Sequence, residues 1–432
     1  MVLFSPTAPR GRLPAHAVPA VVRLLLVLSV VPATAFAAQS PLSLEEALGL
    51  AVERAPMLDA RRAGVVAARQ EARRAGALPD PMLVVGIDNL PITGPDAFDP
   101  SADFMTMKRV GLRQEVPAGA KRKARSALAA RTVDERQALA LAERLDVRLR
   151  TAEAWIALWA AQRELAEVGT LREQAVLASG LARARLSGGS ELAADALAAE
   201  AAVLELDNRI EAAGSALEAA RIGLARWIGA DAAQVVAATP DFSTLPVPEA
   251  HLLGAPDRLG PLLATQAQVE TTAAAIDVAR AEKRPDWSVA ASYGQRGGGR
   301  SDMLMVEFGI ELPLFTANRQ DRGIAARRAE YDAALAALED ARREQVARVR
   351  ADLATWESLK RQVARDRTAL LPLAADRSAT ALAAYRGGAP VRAWLDARRD
   401  ELDLVIEHTE RLEALGLAWA ALADLLPEEP QR

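Results

Sequence analysis

Residues 285–322 read PDWSVAASYGQRGGGRSDMLMVEFGIELPLFTANRQDR. Trp287, Val289, Ala291 and Tyr293 alternate with Ser288, Ala290, Ser292 and Gly294, a period of two that gives a strand one apolar and one small or polar face. The glycine-rich stretch from Gln295 to Ser301 supplies a hairpin loop. On the return strand Leu304, Val306, Phe308, Ile310 and Leu312 share one face, while Met303, Met305, Glu307, Gly309 and Glu311 share the other. Pro313 has no N–H to donate and ends the pairing. Strands of about ten residues with aromatic residues near their ends suit a transmembrane hairpin as well as a soluble sandwich. What decides between them is the sequel, a helical pattern of roughly seventy residues with no further strand.

The rest of the chain agrees with long helices. It has 432 residues, is 51% hydrophobic and only 4% aromatic, and is rich in alanine, a composition suited to closely packed helices. The net charge of −4 carries no basic excess for nucleic acid. Without cysteine there is no disulfide, no thiolate metal site and no residue for a lipid anchor. His16, His251 and His408 lie far apart, which argues against a histidine-based metal or catalytic centre. Neither a cofactor nor an enzymatic reaction is expected.

Residues 1–37 read as a secretory signal: Arg10, Arg12 and Arg23 precede the apolar run Leu24–Val31, and Ala35-Phe36-Ala37 offers a cleavage site. No other run approaches the length of a membrane-spanning helix. Ser43 with Glu46 forms a capping box that starts a helix extending to about Ala77, before Pro79-Asp80-Pro81. A first hairpin follows at 82–116, with Leu83, Val85, Ile87, Val110, Leu112 and Val116 on one face and Arg109, Arg113 and Glu115 on the other.

The chain is duplicated. Glu115-Val116-Pro117 lies 196 residues before Glu311-Leu312-Pro313, in the same facing phase. Pro79-Asp80 opens the first hairpin as Pro285-Asp286 opens the second, and Trp155 is echoed by Trp356. The first repeat spans 38–228, with long helices at 120–186 and 191–228. A linker occupies 229–256. The second repeat spans 257–426, with its hairpin at 286–312 and helices at 317–386 and 390–426, and 427–432 is a tail. Gly188-Gly189 and Gly387-Gly388 break the long helices and reverse the chain.

The expected fold is therefore mainly α with transmembrane β, built from duplicated helix–hairpin–long helix–turn–helix units. Four strands leave two open edges, which lipid does not tolerate. Copies must close them, and a homotrimer would make a 12-stranded barrel continued by a long α-helical barrel.

The order and duplication of RPDWSVAASYGQRG, FGIELPLFTANRQDRGIAARRAE, RQEVPAGAKRKAR, ARLSGGSELAADALAAE and AYRGGAPVRAWLDAR resemble the TolC-like outer-membrane efflux protein family over nearly the whole chain. The stretch DNLPITGPDAFDP…DFMTMKRVGLRQEVP is most similar to members serving heavy-metal exporters of the resistance-nodulation-division type. The resemblance implies an exit duct in the outer membrane with a long periplasmic extension. It also implies a periplasmic adaptor, an inner-membrane pump and heavy-metal cargo. Drug or solvent efflux and type I protein secretion are the alternatives within that class, and a periplasmic coiled-coil adaptor is the alternative outside it. An adaptor would carry a lipoyl-like β domain, which the sequence lacks.

On this frame Trp287, Val289, Tyr293 and Phe308 face lipid, while Glu115, Glu307, Glu311, Met303 and Met305 face the lumen. The acidic residues read either as cation-favouring rings, partly cancelled by Arg109 and Arg113, or as an ordinary solvated face. The methionines, with Met105 and Met107, read either as soft ligands for Cu(I) or Ag(I) or as adaptable filler. The basic cluster Lys121, Arg122, Lys123 and Arg125 would pair with acidic groups or lipid phosphates, or end a helix in solvent. The paired glycine turns form the periplasmic tip where the adaptor docks. By resemblance to the family's gate region, Asp396 is the gate candidate, with Arg392 or Arg398 offsetting its charge and Asp195 in a comparable place in the first repeat.

Overall fold

A computed structural model describes residues 41–190, 192–233 and 241–426. The signal expected at 1–37, the tail at 427–432 and part of the expected linker lie outside them.

Helix α1, Leu44–Arg54, starts where the sequence places it: Ser43 Oγ accepts from the Glu46 N–H at 3.2 Å, and Glu46 Oε2 accepts from the Ser43 N–H at 2.9 Å. The single helix expected here is two. Pro56 cannot donate to the preceding turn, so the chain breaks at Ala55 and restarts as α2, Pro56–Arg74. Strands β1, Met82–Asp88, and β2, Met107–Val116, are followed by α3, Gly119–Ser187, whose 69 residues make it roughly 100 Å long. Helix α4, Ala193–Ile228, runs back along it. The second half adds the short α5, Glu249–Gly254, and α6, Gly260–Ala281. It continues with β3, Trp287–Arg296, β4, Met303–Ile310, α7, Gln320–Arg365, α8, Leu371–Arg386, and α9, Val391–Ala423.

The second long helix departs from the uninterrupted one expected at 317–386. A 3-10 turn occupies Thr316–Asn318, and a π-helical turn, Asp366–Leu370, separates α7 from α8. Pro372 explains the π turn. Its ring displaces the carbonyl one turn back and its nitrogen offers no hydrogen, so an extra residue is inserted ahead of it.

The strands form one antiparallel sheet in the order β1-β2-β3-β4, and β1 and β4 have open outer edges within the chain. The core sits in the middle of the helical region. Trp155, Ile156 and Leu158 of α3 are fully buried there with Leu224, Leu259, Val349 and Leu422. Burying each such side chain contributes about 1.5–3 kcal/mol.

The duplication extends into this core. Trp155 Nε1 donates to the Leu42 carbonyl at 3.1 Å, and Trp356 Nε1 donates to the Phe242 carbonyl at 2.8 Å. In each half a long-helix tryptophan pins a non-helical strap. The second strap belongs to the stretch expected as a linker. There Phe242 is buried edge-on against Trp159, with ring centroids 6.1 Å apart, and also packs on Trp419. Among the described residues no helix is long and apolar enough to cross a membrane.

Candidate functional site

Strand register divides the sheet into two faces. Val85, Val110, Tyr293 and Leu304 lie opposite one another across the four strands, as do Leu83, Leu112, Ala291 and Val306. Val289 with Phe308 and Trp287 with Ile310 extend the same face. Nearly all of these large side chains are exposed in the chain, Phe308 to 75%. A contiguous apolar face of this size marks a surface covered by something other than water. Tyr293 gives its hydroxyl hydrogen to Asp302 at the loop end, the arrangement expected of an aromatic residue at a polar boundary.

The opposite face is small, polar and charged. One row runs Gly86, Arg109, Gly294, Met303, and the next runs Val84, Gly111, Ser292, Met305. Gly86, Gly111, Gly294 and Gly309 put one glycine per strand on this face. At Gly111 the absence of a side chain is required, because a Cβ would stand 2.5 Å from that of Ser292. Arg109 pairs with Asp88 at 3.0 Å, and Arg113 with Glu307 at 3.6 Å. Glu307 thus has a cationic neighbour in its own chain. Glu115, across from Ser288, has no ion pair among the described residues. Glu311 lies one residue past β4, and its N–H donates to the Asp286 carbonyl at 2.9 Å.

Where sheet meets helix, the sequence pattern leaves unread a three-residue clamp. Asp286, immediately before β3, accepts from the Ala118 N–H and from Lys121 Nζ, both at 2.8 Å. Glu282 stands 3.4 Å from the same ammonium and 3.1 Å from Arg125. Of the two readings of the basic cluster, pairing with acidic groups holds for Lys121 and Arg125. The Lys121 side chain is only 5% exposed. Burial works against its charge, but the hydrogen bond it donates to Asp286 and the Glu282 charge outweigh burial and raise its pKa. Burial likewise opposes the charge of Asp286, and the bonds from Lys121 and the Ala118 N–H hold its carboxyl below the usual range.

At the far end of the helices, the turn after α3 caps with Gly188 in right-handed backbone and Gly189 at φ 74°, and the turn after α8 repeats this with Gly388 at φ 106°. Only the second glycine of each pair is left-handed, so Gly188 and Gly387 do not need the freedom that the doublets suggest. The turns are tied together. Arg185 Nη1 donates to the Tyr385 carbonyl at 2.8 Å, and its guanidinium lies 4.4 Å from the Tyr385 ring centroid. Tyr385 stacks on Trp394 with the two planes 5° apart.

Asp396 is exposed and lines a groove between α3, α4 and α9 with Arg392, Arg398 and Arg399. Arg398 is committed to Glu401 at 2.5 Å, which leaves Arg392 of the two arginines expected to offset Asp396. Asp195 is not equivalent to Asp396, because it is buried in the first turn of α4. His408 is also buried, with Nδ1 3.3 Å from Asp366 Oδ2, and Arg411 donates to that same oxygen at 2.8 Å. Burial pushes the His408 pKa down despite Asp366, so the ring is neutral at pH 7. The pair ties α9 to the first residue of the π turn. Among the described residues no cluster of three or more His, Cys, Asp or Glu is placed to hold a metal.

Residues 258–427 match the profile of the family described as OEP, outer membrane efflux protein. The chain is 25% identical over 314 residues to the cobalt-zinc-cadmium resistance protein CzcC of Cupriavidus metallidurans, covering 70% of each. It superposes on a membrane protein from Pseudomonas aeruginosa with TM-score 0.75 at 20% identity, covering 88% of this chain and 92% of that one. For the outer membrane protein VceC of Vibrio cholerae the TM-score is 0.72 at 19% identity, covering 88% and 95%.

The chain is thus similar over its second half to outer membrane efflux proteins, and it shares the fold of these solved membrane proteins. The profile matches only the second half, while the structural likeness takes in the first half as well. The sheet with two unlike faces and the paired turns are thus elements of a fold shared with these membrane proteins.

Proposed function

We propose that three copies of this chain close their sheets edge to edge into a 12-stranded barrel that passes heavy-metal cations out of the cell. The observation that carries the reading is the exposed apolar face of a sheet with both edges open. In lipid such a face is satisfied and such edges are not, so β4 of one copy must pair with β1 of the next. Trp287, Val289, Tyr293 and Phe308 then face lipid. Glu115, Glu307, Met303 and Met305 line the lumen, with Glu311 at its edge. The helices continue as a periplasmic tunnel whose tip, at Gly188-Gly189 and Gly387-Gly388, receives the adaptor, with Asp396 near the axis as part of the gate. The metal cargo is supported by likeness to CzcC.

The test is crosslinking of the full chain in mild detergent followed by single-channel recording in planar bilayers. Trimers that conduct are expected. Asp396→Asn should lower cation selectivity, or block by trivalent cations added on the tip side. Monomer alone after crosslinking would overturn the assembly. Unchanged selectivity and block would remove Asp396 from the gate.

A further inference from the structure

Four of the seven methionines, Met105, Met107, Met303 and Met305, stand at or just before the start of the two return strands. Met107 lies opposite Arg296, Met303 opposite Gly294 and Met305 opposite Ser292, so three thioethers and Gly294 share the polar face at the loop end of the sheet. Gly294 is the centre of the group. A Cβ placed on it would stand 2.7 Å from Met107 Sδ and 3.4 Å from Met305 Cε. Methionines from the strands on either side therefore lean over the same hollow, and Met303 is directly across from it. Met107 is only 9% exposed although its strand face is open.

Filling a hollow beside a glycine does not call for methionine. Strands favour β-branched and aromatic residues, and ordering a methionine costs more side-chain entropy than ordering a leucine or isoleucine. What methionine adds is a soft, neutral sulfur donor.

We propose that Met107, Met303 and Met305 form a thioether site around Gly294 for a soft monovalent cation, Ag(I) or Cu(I). The charges around it permit this. Arg109 shares the row of Gly294, but Asp88 stands 3.0 Å from it and offsets its repulsion. Arg296 turns its guanidinium toward the loop, where Nε donates to the Ser301 carbonyl at 2.8 Å. Thioethers carry no proton, so binding releases none and is insensitive to pH near neutrality. The donor set differs from what divalent cobalt or zinc prefers, so it defines a cargo class apart from the one in the relative's name. The site follows from strand register and the space beside Gly294, whereas its meeting a passing cation rests on the luminal facing proposed above.

The test is a titration of the full chain in detergent with silver nitrate in chloride-free buffer, read by the methionine methyl resonances of 13C-methyl-labelled protein. The signals of Met107, Met303 and Met305 should shift together and saturate near about one equivalent per chain, while those of Met57 and Met82 stay in place. Zinc nitrate should shift none of them. Each of Met107→Leu, Met303→Leu and Met305→Leu should weaken binding about 10-fold or more. Gly294→Ala, which keeps every sulfur but fills the hollow, should do the same. Three results would each overturn the site: no shift with silver, equal shifts at Met57 and Met82, or unweakened binding by Gly294→Ala. The parent protein's own resonances decide the first two even if a variant does not fold. Failure of the channel reading would appear in the bilayer recordings and not in this titration.

Discussion

Removing the Asp286 carboxylate should loosen the joint between hairpin and long helix. Truncation in Asp286→Ala takes away two acceptors at once, the one for Lys121 Nζ and the one for the Ala118 N–H, each at 2.8 Å. Leaving a buried charge without its partner costs about 3–5 kcal/mol. Two features reduce that here. The Asp286 side chain is 27% exposed, and Glu282 remains 3.4 Å from the ammonium as a second acceptor. The expected loss is about 2–3 kcal/mol. Glu282→Gln should cost about 1 kcal/mol or less, because that carboxylate is 39% exposed and its pairs are screened.

The assay is urea denaturation of the full chain in detergent, followed by far-ultraviolet circular dichroism, with Lys121→Met completing a double-mutant cycle. The pH dependence follows from the directions of the shifts. Asp286 is depressed in the folded state, so its contribution is present above its unfolded value near about 4 and is lost as pH falls through the folded one. Lys121 is raised, so its contribution is complete below its unfolded value near about 10 and is lost as pH rises through the folded one. Asp286→Ala should therefore matter most between those limits and converge on the parent in acid. A loss below about 0.5 kcal/mol at pH 7, or one no larger than that of Glu282→Gln, would refute the clamp.

The remaining predictions test the facing of the sheet and the turns. Val289→Arg should reduce the folded, heat-modifiable fraction in bilayers by about 2–4 kcal/mol, and Ser292→Arg by about 1 kcal/mol or less; equal tolerance would reverse the assigned faces. Gly189→Ala and Gly388→Ala should each destabilise by about 1–2 kcal/mol in the same denaturation assay, because both backbones are left-handed. Gly188→Ala and Gly387→Ala should be near neutral, since an added Cβ meets nothing closer than 3.4 Å.

What could be read from the chain and what could not separate along a physical line. The hairpins were legible because alternation reports the two faces of a strand directly, and the register of β3 with β4 keeps Trp287, Val289 and Tyr293 on one side. The capping box at Ser43 and Glu46 was legible because every partner lies within one turn. The breaks at Pro56 and Pro372 carried a local signal too, but the apolar pattern continues through both and hid them. Phe242 gave no signal. It sits in a Pro- and Asp-rich stretch that resembles a linker, and its burial depends on Trp159, Trp356 and Trp419, all distant in sequence. Lys121 and Asp286 stood out separately, one in a basic cluster and one as a repeat marker, but their meeting is a tertiary fact spanning 165 residues.

That meeting also shows where the two repeats stop being alike. Asp80 opens β1 as Asp286 opens β3, and the residues after β4 run in step with those after β2. In that alignment Ala118 corresponds to Leu314 and Lys121 to Ala317. The β2–β3 joint inside the chain is therefore locked by a buried cation, and the corresponding joint at the open edges has none to offer. There the Leu314 N–H already donates to the Leu312 carbonyl at 2.9 Å, so neither donor of the clamp is repeated at that joint. The duplication thus repeats the strands and their opening Pro-Asp at both joints and reserves the clamp for the one within the chain. In the proposed assembly a hairpin pair would then be fixed before the copies meet, and the seams between copies would rest on strand pairing and on the exposed apolar face.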